Sequence, residues 1–173
     1  MGAVATTSKV AGGHGQRPEC LTSDLGWLLS NASYALAGEI AQAFGPLGIS
    51  PRGFHVLEAA AFDGGHTQSE LAEMVGLDKT TMVVTVDALE AAGLAERRPS
   101  ETDRRARVIE VTDAGREKIA EARAVIKAVQ ADVLGSLPPE QAEALLETLA
   151  TLVGDRLSER IQCSPPLRRR QPR

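Results

Sequence analysis

The chain has 173 residues, with 19 basic and 23 acidic side chains and a formal net charge of −4. Its composition is globular, with 43% hydrophobic and 24% charged residues, which excludes a wholly disordered chain. Aromatic residues make up only 3%, so the core must be built from Ala, Leu and Val, which favours close-packed helices. No apolar run approaches the roughly 18 residues of a membrane span, and the start lacks a signal-peptide pattern, so the sequence predicts a cytoplasmic protein.

Helical patterns begin near residue 21. Apolar residues recur at three- and four-residue steps from Leu21 to Ala43, which predicts one long helix ending near Gly45-Pro46. Ser50-Pro51 then supplies an N-cap and a first helical proline, so a second helix is expected from there to Gly64-Gly65. Its inward-facing residues are expected to be Phe54, Leu57 and Ala61.

The next segment predicts two short helices joined by a tight turn. Thr67 and Glu70 have the spacing of a capping box, and Gly76 suits the left-handed end of that helix. Asp78 can cap the following helix, which Gly93 closes. Its buried face would consist of Met82, Val86 and Leu89. This pattern indicates a helix-turn-helix, with an ordinary helical hairpin as the alternative.

The helical period is lost between residues 94 and 111. Residues 94–97 and 108–111 have the pattern of two strands, with residues 99–105 as their loop. A hairpin directly after a helix-turn-helix is typical of the wing of a winged-helix domain. Five arginines lie in it: Arg97, Arg98, Arg104, Arg105 and Arg107. A local basic patch on an acidic protein indicates a DNA-binding surface, with a merely solvated charged hairpin as the alternative.

Two further helices complete the chain. Thr112 can cap a helix that runs to about Ser136, and Pro138-Pro139 begins a last one. The last helix has an apolar side formed by Leu145, Leu146, Leu149, Leu152 and Val153. Long apolar faces of this kind favour a dimer, because one small domain would struggle to cover them.

Several short runs occur in a characteristic order: Gln68-Ser69-Glu70-Leu71-Ala72, Gly76-Leu77, Leu89-Glu90-Ala91-Ala92-Gly93-Leu94, Glu96-Arg97-Arg98, Asp103-Arg104-Arg105 and Val111-Thr112-Asp113-Ala114-Gly115-Arg116. Together they resemble the multiple-antibiotic-resistance regulator (MarR) family of bacterial transcription factors, over about residues 21 to 158. The resemblance implies a winged-helix homodimer whose two lobes contact successive major grooves of a palindromic operator. It also implies a repressor that small aromatic compounds or oxidants release.

The expected fold class is therefore all-α with a small β wing, a winged helix-turn-helix lobe joined to a helical dimerisation region. The lobe is expected at residues 50–111 and the dimerisation region at 20–49 and 112–160. A flexible lead is expected at 1–19 and a flexible basic tail at 161–173.

The resemblance implies that Asp103 and Arg105 form the wing's Asp-x-Arg element, with Arg105 in the minor groove. A carboxylate two residues away in an extended segment can orient that guanidinium. Where many relatives carry arginines in the recognition helix, this chain has Val83-Val84 and Ala88. Val84 and Thr85 could then contact thymine methyl groups, with core packing of both valines as the alternative. The residues expected to bind DNA are Gln68, Ser69, Lys79, Thr80, Thr81, Val84, Thr85, Arg97, Arg98, Asp103, Arg104, Arg105 and Arg107.

Two sites are candidates for sensing the signal that releases the protein from DNA. Trp27, Tyr34, Phe54 and His55 could stack on an aromatic effector, with core packing as the alternative for Trp27, Phe54 and His55. Cys20 is the candidate redox sensor, although only Arg17 lies near enough in sequence to lower its pKa. No phosphate loop, nucleophile elbow or metal-binding pair occurs, so neither an enzyme nor a cofactor or metal is predicted. A winged helix used only for protein–protein contact is the remaining alternative.

Overall fold

The computed structural model of the chain describes residues 18–100 and 106–158. Most of the expected lead, the whole expected tail and the tip of the wing loop lie outside these ranges. The described residues form seven α-helices and one two-stranded antiparallel sheet. This confirms the predicted fold class of an all-α protein with a small β wing. None of the helices described is long and apolar enough to cross a membrane.

The first predicted helix is in fact two helices, α1 (Glu19–Thr22) and α2 (Leu25–Phe44). Asp24 causes the break, because its carboxylate accepts the backbone N–H of Trp27 at 2.6 Å and so caps the start of α2. The expectation of one uninterrupted helix is therefore wrong. Helix α2 ends where predicted and continues into a 3-10 turn at Gly45–Leu47.

Helix α3 (Pro51–Ala61) begins as predicted, because the Ser50 hydroxyl accepts the backbone N–H of Gly53 at 3.0 Å. It ends before the predicted Gly64-Gly65. Phe54 and Leu57 are buried as expected, but Ala61 is exposed and Ala60 is buried instead. The buried face of α3 is centred on Gly53, Val56 and Ala60, which follow one another at steps of three and four residues, and Ala61 lies at the edge of this face.

The helix-turn-helix consists of α4 (Gln68–Val75) and α5 (Lys79–Ala91). The Thr67 hydroxyl accepts the Glu70 N–H at 3.3 Å, and the Glu70 carboxylate accepts the Thr67 N–H at 2.7 Å. Gly76 ends α4 with φ of 64°, and the Asp78 carboxylate caps α5 by accepting the Thr81 N–H at 2.9 Å. The predicted core face of α5 is confirmed by the burial of Met82, Val86 and Leu89.

The wing consists of β1 (Ala95–Pro99) and β2 (Arg107–Val111), with Ala95 opposite Val111. Strand β2 is also tied to the segment that precedes α4. Val108 forms an isolated bridge with Thr67, and the Ile109 N–H donates to the His66 carbonyl at 2.9 Å. The sheet is therefore anchored to the helix-turn-helix through its second strand.

Helix α6 (Asp113–Leu134) is capped by the preceding Thr112, whose hydroxyl accepts the Gly115 N–H at 3.0 Å. Helix α7 (Pro139–Gly154) follows the predicted proline pair. The chain divides into two compact units after Ile119. The core of the first unit contains Phe44, Leu57, Leu71, Met82 and Ile109, whereas no residue of α7 in the second unit is buried. The predicted boundaries of the DNA-binding and dimerisation regions stay a prediction.

Candidate nucleic-acid interface

Helix α5 carries two valines on the side that its core residues leave open. Val83 is 42% exposed and Val84 65% exposed, while Met82 and Val86 are completely buried. Core packing therefore does not account for Val84. At the start of the same helix the side chains of Lys79 and Thr80 are also exposed. This end of α5 offers one cation, one hydroxyl and an apolar surface to a ligand.

Thr85 does not lie on the exposed side of α5, where the sequence analysis expected it. It was expected to share the groove-facing side with Val84, but it is buried, and its hydroxyl donates to the Thr81 carbonyl at 2.7 Å. The helical rotation of about 100° per residue turns Thr85 towards the core. Thr81 is also engaged within the protein, since its hydroxyl donates to the Asp78 carboxylate at 2.6 Å.

The two carboxylates that cap the helix-turn-helix are held in their ionised forms. Hydrogen bonds from the Thr67 backbone N–H and hydroxyl lower the pKa of Glu70. Hydrogen bonds from the Thr81 hydroxyl and backbone N–H lower the pKa of Asp78. Both caps are therefore strongest when the carboxylates are charged, as they are at neutral pH.

Helix α4 contributes two predicted contact residues at its start. Ser69 is exposed, whereas Gln68 is half-buried and its side-chain carbonyl accepts a hydrogen bond from Arg97 at 3.0 Å. Gln68 is thus already joined to the wing within the protein.

Arg97 of β1 is bound to acidic residues of α5. Its guanidinium forms an ion pair with Glu90 and another with Asp87, the latter at 2.7 Å. Its backbone N–H also donates to the Glu90 carboxylate at 2.8 Å. The side chain is only 28% exposed. Sequence reasoning missed Asp87 and Glu90, although the short turn at Gly93, which brings the end of α5 beside β1, is a signal that could have found them.

Arg98 is paired across the wing. Its guanidinium contacts Glu96 on its own strand and Glu110 on β2, the latter at 3.2 Å. The hydrogen bond to Glu96, with the nearby charge of Glu110, raises the pKa of Arg98. Glu96 and Glu110 are direct cross-strand neighbours, so Arg98 also relieves their mutual repulsion.

Arg107 is the exposed arginine of β2, and it forms no ion pair with another described residue. Asp103, Arg104 and Arg105 lie outside the described residues. Two of the five wing arginines are therefore neutralised by internal carboxylates, and the positive charge that the described part of the wing presents comes from Arg107.

The four candidate effector residues do not form one enclosed cluster in the single chain. Phe54 is buried in the core and meets the Phe44 ring edge-on, with centroids 5.8 Å apart. His55 is exposed and tilts against Phe54 at 5.4 Å. On α2, Trp27 is half-buried and Tyr34 is 86% exposed. Core packing thus describes Phe54, whereas Trp27 is only half-buried and His55 is exposed.

The redox candidate Cys20 is an exposed free thiol on the four-residue helix α1. Across residues 18–100 and 106–158, no group of three or more His, Cys, Asp or Glu side chains is placed to hold a metal ion.

A recognition helix with a capped N-terminus, followed by an arginine-bearing hairpin, defines a winged helix-turn-helix protein. Residues 47–106 match the sequence profile of the MarR family. The transcriptional repressor CouR, solved on a 23-mer DNA duplex, is 30% identical over 80% of this chain and 99% of its own, with a TM-score of 0.73. CouR from Rhodococcus jostii RHA1, solved with p-coumaroyl-CoA, is 28% identical over 84% and 100%, with a TM-score of 0.69.

A MarR family protein of Mycobacterium tuberculosis, solved with salicylic acid, is 30% identical over 76% of this chain and 99% of its own, with a TM-score of 0.64. The chain therefore belongs to the MarR family and is a DNA-binding transcriptional regulator of the winged-helix type.

Proposed function

We propose that this regulator is a homodimeric repressor that binds a palindromic DNA duplex and releases it when a small aromatic effector binds. The observation that carries the proposal is the exposed start of α5, which presents Lys79, Thr80 and Val84 outside the core. The complex of CouR with a DNA duplex supports the same use of this fold.

The DNA contacts divide by chemistry. Lys79, Thr80 and Ser69 hold phosphates or base edges, and Val84 contacts a thymine methyl group in the major groove. Arg107 adds a phosphate contact from the wing. Arg105, oriented by Asp103 and beside Arg104, enters the minor groove, where the negative potential is concentrated.

Dimerisation is supported by apolar side chains that the single chain leaves exposed on its terminal helices. On α2, Leu25 is 60% exposed and Leu28 40%; on α7, Leu146 is 51% exposed and Val153 64%. A second copy of the chain would remove these surfaces from water, which is the usual reason for such exposure. Two copies also match the two half-sites of a palindrome, about 34 Å apart.

The proposed effector is an aromatic carboxylic acid or its coenzyme A thioester. CouR is solved with p-coumaroyl-CoA and the Mycobacterium tuberculosis relative with salicylic acid, two compounds built on an aromatic ring bearing an acyl group. Trp27, Tyr34 and His55 have aromatic rings accessible for stacking on such a ring. Effector binding would favour a spacing of the two recognition helices that no longer matches the half-sites.

The test is fluorescence anisotropy of the purified protein on duplex DNA from its own upstream region, against a scrambled duplex and at several salt concentrations. Tight, selective binding that weakens steeply with salt is the expected result. Light scattering should give a mass of two chains, and aromatic acids or their thioesters should lower the anisotropy. Equal, weak binding to both duplexes would contradict DNA readout and favour the protein-interaction alternative.

A further inference from the structure

One guanidinium joins three elements of the winged helix. From β1, Arg97 pairs through Nη1 with Glu90, and through Nη2 with Asp87 at 2.7 Å and Gln68 at 3.0 Å. The backbone N–H of Arg97 adds a bond to Glu90 at 2.8 Å. Strand β1 is thereby connected to the start of α4 and to the C-terminal half of α5. We call this set of four side chains the wing latch.

The charges of the wing latch depend on one another. Asp87 and Glu90 are three residues apart on α5, so their carboxylates share one side of the helix and repel each other. Arg97 lies between them and offsets both. Three of its five guanidinium N–H donors hold partners within the protein and the side chain is only 28% exposed, so little of it is left to bind a DNA phosphate.

We infer that Arg97 is a positioning residue that fixes the wing relative to the recognition helix, and that it makes no DNA contact itself. The inference rests on the proposed DNA binding, since it concerns how two contact elements are held together. A duplex must accept α5 in its major groove and the wing in its minor groove at once. A wing already held at the correct angle loses less conformational freedom on binding, which raises affinity.

The variant Glu90→Gln distinguishes a positioning role of Arg97 from a phosphate contact, because the two roles predict opposite changes in operator affinity. If Arg97 binds phosphate, removing the competing carboxylate frees its charge and tightens operator binding. If Arg97 positions the wing, the same change weakens the latch and operator binding by about tenfold, as expected for a charged hydrogen bond. Glu117→Gln on α6, an exposed site outside the latch, controls for the gain of one positive charge. Tighter binding by Glu90→Gln than by this control overturns the inference.

Arg97→Met and Arg97→Lys test the wing latch by changing the arginine itself. Lysine keeps the charge, but its single nitrogen cannot reach the partners that Arg97 contacts through two separate nitrogens, so both variants should weaken binding by about tenfold. At saturating protein, hydroxyl-radical footprints should keep the minor-groove protection by the wing, because a loosened wing still docks once binding orders it. The salt dependence should remain that of the wild type, whereas losing a phosphate contact lowers its slope by about one. A lowered slope, or full affinity in Arg97→Lys, contradicts the positioning role.

A readout without DNA keeps this inference separate from the proposed function. In the free protein, amide hydrogen exchange of residues 95–98 should be at least about tenfold faster in Arg97→Met and in Glu90→Gln than in the wild type. The double variant should exchange no faster than either single variant, because both break one latch. Unchanged exchange would refute the latch even if DNA binding holds. Faster exchange with no operator binding by the wild type would instead refute only the proposed function.

Discussion

Gly115, near the start of α6, packs directly against the main-chain carbonyl of Leu94, just before β1. A Cβ atom at Gly115 would overlap the Leu94 carbonyl oxygen and lie 2.7 Å from Cγ1 of Val111. The same carbonyl accepts the Thr112 N–H at 3.1 Å, so it cannot move away without losing a hydrogen bond. The absence of a side chain at this position thus allows α6 to begin against the base of the wing.

Replacing Gly115 with alanine should therefore destabilise the protein. The added methyl group forces a shift of backbone rather than of a flexible side chain, which costs about 1–3 kcal/mol. Urea unfolding at one fixed protein concentration measures this loss. Gly38→Ala is the matched control, because nothing lies within 4 Å of its new Cβ in the middle of α2. That variant should gain up to about 1 kcal/mol from helix propensity, and an equal loss in both would contradict the packing explanation.

Local signals predicted the helix-turn-helix well. Thr67, Glu70, Gly76 and Asp78 act through hydrogen bonds and backbone angles within a few residues of themselves, so their spacing alone locates the turn. The break at Asp24 was missed for a different reason. The run Thr22-Ser23-Asp24 consists of residue types that favour N-caps, but the apolar period continues through it and conceals the break.

Contacts between different helices and strands could not be predicted from such local signals. Arg97 and Arg98 carry the same charge in the same strand, and in sequence both belong to a basic patch. Which carboxylates they meet depends on the antiparallel register of the hairpin and on which side chains of α5 face β1. Gly93 marks the end of α5 in the sequence, but it does not determine either of these. The charge count of the wing was predictable, but its internal neutralisation by Glu90 and Glu110 required the fold.

The caps of the helix-turn-helix predict a loss of stability in acid. Hydrogen bonds lower the pKa of Glu70 and of Asp78 in the folded state, so each contributes stability that is present above its unfolded pKa. That contribution is lost as the pH falls below about 4 and through the folded values. Urea unfolding of the wild type at a series of pH values from 7 to 3 should show the decline.

Glu70→Gln and Asp78→Asn are the controls for this acid effect. Both replacements keep a side-chain oxygen that accepts the capping N–H but do not titrate in this range. The double variant should lose less stability between pH 5 and pH 3 than the wild type. If the two proteins decline in parallel, the acid sensitivity comes from other carboxylates.

Arg105→Ala should weaken operator binding while leaving the mass of the proposed dimer unchanged. Arg105 is the proposed minor-groove contact, and one good base contact contributes about 1–3 kcal/mol, so the loss of affinity should be at least about fivefold. Anisotropy titrations and light scattering measure the two properties separately. Arg116→Ala on α6, an exposed arginine outside the wing, should bind normally. Undiminished binding by Arg105→Ala would refute the minor-groove role.

Val84 provides a test of how a recognition helix with central valines reads bases. Its side chain is 65% exposed, and an apolar side chain can distinguish thymine by its methyl group. Replacing operator thymines with uracil, which lacks that methyl, should weaken wild-type binding about fourfold per contacted methyl. Val84→Ala should bind the thymine operator more weakly and show little further loss on the uracil operator.

Thr85→Val is the matched control for Val84. Thr85 is buried and its hydroxyl bonds the Thr81 carbonyl, so its side chain does not reach the groove. This variant should discriminate thymine from uracil as the wild type does, even if it is less stable. If Val84→Ala keeps the full discrimination, the methyl groups are read by another residue. If the wild type binds both operators equally, the valine surface of α5 excludes water from the groove without reading thymine.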